Sequence, residues 1–373
     1  MTWFDLRYAI RQLRQNRGFT IVALLALALG IGANSAIFTA FEAVLLRPLP
    51  YSDPDRLVIV WEDASTLGFA RNTPAPGNYA EWRKQNDIFT DIAATRSRRL
   101  NFTGDGVPEQ VLGRAVTPNF FNVLGVQPKY GRPFTAAEDA AGTKVIVISD
   151  QLWHRRYGAD LSIIGRFILV DGAQTQVIGV MAPNFFFPDR ESQFWIPASF
   201  SSEDLQNRHS HFLTVVARLK PHATFQMAQQ EMNTIAKRLA TEYPDTNTSI
   251  GAVVVPIQSE FVGDSKIGLW MLLGASAVVL LIACSNLANL LLVRAAGRRR
   301  EIAVRLALGA GRKEIIRQMM IESLLLSFAG GALGLIVGRL SWGLLEHLLP
   351  PRLMGMQFTM NPFVLLFTLA VSV

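Results

Sequence analysis

The sequence predicts a multi-span α-helical membrane protein that carries a large α+β extracytoplasmic domain of two subdomains. Three complete apolar runs cover Phe19–Leu46, Leu269–Val293 and Ser323–Leu345, and a fourth begins at Pro362. A membrane helix needs about 20 apolar residues, so each complete run is long enough to cross a bilayer. Residues 47–266 separate the first run from the second and alternate strand-like with helix-like patterns.

The apolar runs divide the chain into eight segments. They are an amphipathic cytoplasmic helix (1–17), a first span (18–46), the folded domain (47–266, with an inserted subdomain at about 141–209), a second span (267–293), a basic elbow (294–318), a third span (319–345), a short external loop (346–360) and the start of a fourth span (361–373). Because the fourth run stops well short of a full span, we expect the chain to be a fragment of a longer protein.

The N-terminal segment has an apolar and a basic face. Trp3, Leu6, Ile10 and Leu13 recur at helical spacing, and Arg7, Arg11 and Arg14 lie on the other side. This pattern is typical of a helix that lies at a membrane surface, with its basic face toward anionic headgroups. An ordinary soluble helix end is the alternative.

The positive charge flanks the spans. The chain has a net charge of +7, yet residues 47–268 hold 22 Lys/Arg and 23 Asp/Glu. The basic surplus lies in residues 1–17 and 294–317, where it marks the cytoplasmic side of a membrane protein. This distribution argues against nucleic-acid binding. The single cysteine, Cys284, falls in a predicted span, so an intramolecular disulfide is excluded.

The folded domain shows short strand patterns mixed with separated helical ones. Strands are predicted at Leu57–Trp61, Val145–Ser149, Phe167–Val170, Gln176–Val180 and Phe212–Leu219, and helices at Asn78–Gln85, Phe120–Leu124 and Phe225–Glu242. This mixture predicts an α+β fold.

Signals for catalysis or metal binding are weak. The ATP-binding signature GxxxxGK(S/T) is absent, and the segment Gly309–Lys313 lacks its spacing, so we expect no ATP hydrolysis by this chain. His209 and His211 could share a metal ion, but no third ligand is indicated, and a strand start is the simpler interpretation. There is no GxSxG motif, and the other histidines are scattered. We therefore expect a non-enzymatic chain.

Polar residues inside the apolar runs are costly in hydrocarbon and should face protein. They are Asn34, Ser35 and Glu42 in the first run and Ser285, Asn286 and Asn289 in the second. They could line a substrate or gating path, or they could form hydrogen bonds that hold helices together.

Small residues recur every four positions on two of the spans. They are Gly330, Gly334 and Gly338 on the third span and Ala28, Gly32, Ala36 and Ala40 on the first. Such stripes allow helices to approach closely, although small residues are also common in spans generally.

The basic elbow contains a predicted short helix, Glu301–Leu308, that ends at a glycine pair. The glycines permit a sharp change of direction before the third span. The residues of interest are Arg298, Arg299, Arg300, Glu301, Arg305, Gly309, Gly311, Arg312 and Lys313. A motor subunit could push this elbow, or it could be a basic loop without a partner.

Several motifs together resemble the FtsX/MacB-type ABC transporter permeases, and most of all the duplicated orphan permeases first noted in acidobacteria. The membrane motifs are Leu280–Leu292, Arg299–Ala310 and Glu322–Leu326. The folded domain is similar to the MacB-like periplasmic core at Leu45–Tyr51, Phe120–Val126, Gly131–Phe134, Ile164–Arg166, Val177–Val180 and Ala217–Pro221. His222 departs from the family, which commonly has glycine there; the change is tolerated if φ stays negative.

The resemblance implies a role in mechanotransmission. A separate cytoplasmic ABC ATPase would bind ATP and Mg, whereas this chain would bind no cofactor, and the elbow would dock on the ATPase. It further implies four spans per half, a homodimer or pseudo-dimer of halves, a periplasmic or outer-membrane partner, and residence in the bacterial inner membrane with a cytoplasmic N-terminus.

Three functions are consistent with the sequence. The first is a permease subunit that couples ATP hydrolysis to motion of its periplasmic domain for export or envelope processes. The second is a membrane-anchored signalling or regulatory protein that controls a periplasmic partner without moving cargo. The third, a tethered periplasmic enzyme, is disfavoured because no catalytic constellation is present.

Overall fold

The computed structural model describes residues 3–42, 49–263, 265–297, 303–304, 307, 311–348, 366 and 368. The chain divides into two compact units. We call Met1–Arg47 with Asp264–Val373 the helical unit, and Pro48–Gly263 the sheet domain.

The described helices are numbered along the chain. They are α1 (Trp3–Gln15), α2 (Arg17–Phe41), α3 (Pro76–Gln85), α4 (Phe120–Leu124), α5 (Ala136–Ala140), α6 (Asp150–Tyr157), α7 (Phe225–Glu242), α8 (Pro244–Asn247), α9 (Ile257–Val262), α10 (Ser265–Gly297) and α11 (Arg312–Leu348). The strands are β1 (Leu57–Ala64), β2 (Phe69–Asn72), β3 (Phe89–Thr103), β4 (Glu109–Val116), β5 (Tyr130–Gly131), β6 (Val145–Ile148), β7 (Phe167–Val170), β8 (Ala173–Val180), β9 (Phe194–Pro197), β10 (Thr214–Leu219) and β11 (Gly251–Pro256).

In the helical unit, three of the described helices are long and apolar enough to span a membrane. The candidate spans are Arg17–Phe41, Lys266–Gly297 and Ile315–Ser341, with mean hydropathies of 2.2, 2.4 and 1.9. The helix α2 packs against both α10 and α11. Its buried side chains Ala23, Leu27 and Ile31 form an apolar cluster with Leu326 of α11. The central helix of the unit is therefore α2.

In the sheet domain, the strands form one continuous mixed sheet of order β11-β1-β10-β3-β4-β9-β6-β8-β5. β2 pairs with β1, and β7 pairs with β3 and β8. The pairs β4–β9 and β6–β8 are parallel, and the remaining described pairs are antiparallel. The α+β prediction for this domain is confirmed.

Side chains along β1 alternate between the two faces of the sheet and pack into a different hydrophobic cluster on each face. Leu57 and Ile59 point to one face of the sheet, where they join Phe120 and Trp195. Val58 and Val60 point to the other face, where α3 and α7 cover them through residues such as Trp82, Met232 and Leu239. Since both faces of β1 are buried, this strand is the centre of its half of the sheet.

The segment 141–209, predicted as an inserted subdomain, contributes β6–β9 and α6 to the other half of the sheet. A third apolar cluster lies there, built from residues such as Ile146, Trp153 and Phe194. Phe102 and Val111 of the long strands β3 and β4 belong to the same cluster. The two parts of the domain thus share strands and core.

The condition under which histidine at position 222 was expected to be tolerated, a negative φ, is not met. The backbone there has φ of +70°, in the left-handed region. The residue lies in the tight turn between β10 and α7, and this turn reverses the chain within a few residues. Histidine therefore occupies a conformation in which glycine is favoured.

Candidate functional site: helix contacts and the attachment region of the sheet domain

The small residues of α11 lie against α2. A Cβ atom added at Gly330 would be 2.6 Å from Leu27 Cβ, and one at Gly338 would be 3.1 Å from Gly32 O. On α2, a Cβ atom added at Gly32 would be 2.8 Å from Gly334 O. Real Cβ atoms do not fit at such distances without a shift, so glycine is required for the two backbones to approach as they do.

Two polar residues of α2 form hydrogen bonds with other helices. Asn34 Nδ2 donates to Ser276 O of α10 at 2.9 Å, and Ser276 Oγ donates to Asn34 Oδ1 at 2.9 Å. Ser35 Oγ lies 2.8 Å from Thr368 Oγ1. Both Asn34 and Ser35 are buried, as is Glu42 at the end of α2. These contacts satisfy side-chain groups that hydrocarbon would leave without hydrogen bonds.

The polar residues of the second span lie elsewhere. Ser285, Asn286 and Asn289 were expected to face protein, but within this chain they are exposed. The reason is the orientation of α10, which turns Leu280 and Ala283 toward Gly30 of α2. Ser285 and Asn289 lie on the opposite side of the helix, whereas Asn286 lies beside the contact, about 60° around the helix axis from Ala283.

A charged cluster joins three helices and was not singled out from the sequence. Arg294 of α10 and Glu322 of α11 form an ion pair, with Nη2 and Oε2 3.3 Å apart. The Arg294 guanidinium also lies over the ring of Phe19 on α2, 4.6 Å from its centroid. Arg294 was counted only as part of a basic flank, and Glu322 only as part of a motif. The available signal was a carboxylate inside the predicted third span, one residue before its apolar run begins.

Arg218 of β10 joins two of the segments on which the family resemblance rests, and it also binds Ser52, the residue directly after a third such segment. Its Nε donates to Val123 O at 2.7 Å, and its Nη2 donates to Ser52 O at 2.7 Å. The residue is 9% exposed, and this burial lowers the pKa of its guanidinium, with nearby Arg56 acting in the same direction. The end of α4 and the segment after the first span are thereby fixed to the central strands.

An aromatic cluster brings together the two ends of the sheet domain. Tyr51 is near its N-terminal end and Phe261 near its C-terminal end, and their rings lie 6.4 Å apart. The ring of Phe186 contacts both, at 6.2 Å and 5.4 Å. The hydroxyl of Tyr51 donates to Phe186 O at 2.5 Å. Burial raises the pKa of this hydroxyl well above its ordinary value, so it stays a neutral donor.

His211 serves a structural network. Its Nδ1 lies 2.6 Å from Oε2 of Glu62, which is fully buried. Glu62 Oε1 also accepts hydrogen bonds from Ala75 N and from Asn78 Nδ2. The described residues contain no group of three or more His, Cys, Asp or Glu that could hold a metal ion. In this network His211 positions the start of α3 through the Glu62 carboxylate.

Most of the predicted elbow falls outside the described residues. This applies to Arg298, Arg299, Arg300, Glu301, Arg305 and Gly309. Gly311 and Lys313 are described and exposed, and Arg312 is the first residue of α11.

Comparison with known families decides the identity. Residues 20–235 match the MacB-like periplasmic core domain, and residues 273–373 match the FtsX-like permease C-terminal family. The chain belongs to the MacB/FtsX-type ABC transporter permease family. The resemblance seen in the sequence is confirmed, and the sheet domain of the permease is its periplasmic core domain.

Curated relatives of the permease have names that combine ATP-binding with permease. It is 26% identical over 256 residues to macrolide export ATP-binding/permease protein MacB 1 of Yersinia pestis bv. Antiqua (strain Antiqua), over 68% of this chain and 38% of the relative. It is 24% identical over 338 residues to macrolide export ATP-binding/permease protein MacB of Chromobacterium violaceum. This match covers 88% of this chain and 51% of that relative. The permease chain thus spans about half or less of these relatives' length.

Solved structures of two other proteins are similar to part of the permease chain. One is a domain of a putative permease protein from Porphyromonas gingivalis, with 14% identity, a TM-score of 0.43, and coverage of 55% of this chain and 92% of that one. Another is the periplasmic region of MacB from Actinobacillus actinomycetemcomitans, with 10% identity, a TM-score of 0.41, and coverage of 55% and 90%.

Proposed function

We propose that the chain is a permease subunit that couples ATP hydrolysis by a separate cytoplasmic ABC ATPase to motion of its periplasmic domain. The relatives' names join ATP-binding to permease, and the sequence of this chain has the permease part but no phosphate-binding loop. The ATPase would supply ATP and Mg, and the motion would serve export or another envelope process.

One observation carries this proposal: the two ends of the sheet domain meet at a single aromatic cluster. Tyr51 follows the last residue of α2 by ten positions, and Phe261 precedes the first residue of α10 by four. Both contact Phe186. A displacement of the two spans therefore enters the domain at one packed point, from which Arg218 connects to the central strands.

The elbow between α10 and α11 is proposed as the docking site of the ATPase. Its charge supports this, since Arg298, Arg299 and Arg300 precede Glu301 and Arg305 within eight residues. We expect Arg305→Glu or Glu301→Lys to abolish co-purification of the ATPase while the chain still inserts into the membrane. The matched control is Arg99→Glu, which reverses an exposed charge in the sheet domain.

The proposed location is the bacterial inner membrane, with a cytoplasmic N-terminus. Arg7, Arg11, Arg14 and Arg17 precede the first span and support this orientation. Reporter fusions at residues 150 and 305 should report opposite sides of the membrane. If both report the same side, the proposed orientation is wrong.

A second permease half is the proposed neighbour of α10, as in a homodimer or pseudo-dimer. Of the most apolar stretch of α10, 11% is buried within this chain, against 50% for α2. Ser285, Asn286 and Asn289 lie on the exposed face, and polar side chains there favour a protein neighbour over lipid. In a Cys284→Ser background, Asn289→Cys should form cross-linked dimers in membranes, whereas the inward-facing Ser276→Cys should not.

The decisive experiment reconstitutes the full-length protein with the proposed ABC ATPase partner. A spin label at Val107, an exposed residue of the sheet domain, reports the distance between two copies. We expect this distance to change when ATP is added and to stay constant with an ATPase that cannot hydrolyse it. A constant distance in both cases contradicts the coupling proposal. Motion without transported cargo, together with a co-purifying envelope partner, would favour the signalling function instead.

A further inference from the structure

The Arg294–Glu322 ion pair lies where charged side chains are rare. Both residues fall within candidate membrane spans, and their side chains are 12% and 8% exposed. Removing two charges from water is unfavourable unless their mutual attraction compensates for it. Charged residues in spans accordingly face the bundle interior, pair with each other and mark functional positions.

The pair connects two helices that both pack on a third one. Both α10 and α11 pack on α2. Arg294 reaches from α10 to the carboxylate on α11 and, through its flat guanidinium, to the Phe19 ring on α2. Such a cation–π contact is stronger when it is shielded from water. One arginine therefore holds all three spans together at one level.

The two helices continue for different lengths between the ion pair and the connecting segment 298–311. Arg294 is three residues from the end of α10, which corresponds to about 4.5 Å of helix. Glu322 is ten residues from the start of α11, which corresponds to about 15 Å. An overhang of α11 thus extends past the pair, and α1 contacts α11 as well. On the other side of the pair, Leu326 begins the apolar cluster with Leu27 and Ile31.

We infer that Arg294 and Glu322 are positioning residues that fix the overhang of α11 to α10 and α2. A force applied to the segment 298–311 then moves the three spans as one body. Without the pair, the same force would swing the overhang about the apolar cluster and leave α2 and α10 in place. This inference rests on the proposed coupling function, since it assigns the route by which a push on the elbow reaches the spans.

The test measures two distances by spin labels in the full-length protein in lipid nanodiscs, with Cys284→Ser as background. The first pair of labels, at Ala296 and Lys313, spans the loop-side ends of α10 and α11. The second pair, at Leu281 and Ile336, spans the same helices on the other side of the ion pair. All four residues are exposed. We expect Glu322→Gln to about double the width of the first distance distribution and leave the second unchanged, because only the overhang is released.

Further variants separate positioning from general stability. The exchange Arg294→Glu with Glu322→Arg restores the ion pair but not the contact with Phe19, so its first distribution should be narrower than that of Glu322→Gln and wider than that of the wild type. Arg294→Lys, which keeps the charge but not the flat contact with Phe19, should also give an intermediate width. Arg339→Ala, which removes an exposed charge farther along α11, is the control and should have no effect.

Two results would overturn the inference: an unchanged first distribution in Glu322→Gln, or equal broadening of both distributions. The second result would show that the pair only stabilises the bundle. Because no ATPase is present in these measurements, they are independent of the proposed function. If the ATPase fails to bind the wild-type chain while the label results hold, the coupling function fails and the fixed overhang remains.

Discussion

Arg218 Nε donates a hydrogen bond to the carbonyl oxygen of Val123 at 2.7 Å, across 95 residues of sequence. The same guanidinium binds Ser52 O, so one buried cation satisfies acceptors from two distant segments. Backbone carbonyl oxygens do not neutralise the charge of a guanidinium as a carboxylate would. They accept hydrogen bonds from its several N–H groups, which the planar guanidinium directs toward more than one acceptor at once. The residue thus acts as a connector between the attachment segment and the sheet.

Replacing Arg218 tests this role. Arg218→Ala removes the donor to the buried carbonyl oxygen of Val123 and to the part-buried one of Ser52. A buried acceptor that loses its donor costs about 1–3 kcal/mol, so we expect a fall of about 2–3 kcal/mol in the free energy of unfolding of the sheet domain. Arg218→Lys should lose roughly half as much, because one ammonium group cannot reach both acceptors. Urea denaturation followed by tryptophan fluorescence measures the change. Arg98→Ala, at an exposed site on β3, should be neutral.

His222→Gly should stabilise the protein. A left-handed backbone costs a non-glycine residue about 1–2 kcal/mol, and glycine removes this cost. Part of the resulting stabilisation is lost because glycine raises the conformational entropy of the unfolded chain. The expected net gain is about 0.5–1 kcal/mol in the same denaturation measurement. Ala223→Gly, one residue later and without a positive φ, is the control and should destabilise. A loss of stability in His222→Gly would show that the imidazole makes a contribution larger than the backbone strain.

Gly330→Val should disrupt the contact between α2 and α11. The added Cβ atom alone would lie 2.6 Å from Leu27 Cβ, and overpacking of this kind costs about 1–3 kcal/mol. The matched control is Gly274→Val on α10, where an added Cβ atom meets open space. Melting temperatures of the two variants in detergent give the comparison. Equal melting temperatures would mean that the helices separate at no cost, contrary to the packing described.

Acid should weaken the sheet domain partly through Glu138. Two hydrogen bonds from Arg132 lower the pKa of this carboxyl from 4.5 to about 2, and Thr135 N adds a third. Because the folded pKa is below the unfolded one, the stabilisation is present above pH 4.5 and is lost as the pH falls toward 2. Glu138→Gln should therefore show a shallower fall in melting temperature across this window. The exposed Glu203→Gln should follow the wild type.

Periodic features of the sequence predicted the fold best. The helix at Phe225–Glu242 and the strand at Phe167–Val170 have the predicted bounds, since each has a clear apolar period between turn residues. The strand β3 was not predicted, although it is 15 residues long. Its middle reads Thr95-Arg-Ser-Arg-Arg99, and this polar run obscures the alternation where the strand leaves the core.

Contacts between distant residues could not be predicted in the same way. Asn34 was recognised as a polar residue that needs a partner, yet its partner is Ser276, 242 positions away, and not the more conspicuous Asn286. To predict which of the two residues contacts Asn34, one must know the rotational orientation of α10 about its axis. A helix that is apolar on nearly all sides has a weak period, so the sequence hardly specifies that rotation.

The contact among Tyr51, Phe186 and Phe261 has a consequence for how such proteins can be built and recombined. The first and last parts of the sheet domain contact each other, and in the sequence the domain is an insertion between α2 and α10. Adjacent termini are the condition under which domains can be exchanged or circularly permuted. A sheet domain of different surface chemistry could thus be transplanted between the same two spans, and a change of partner would leave the membrane helices untouched.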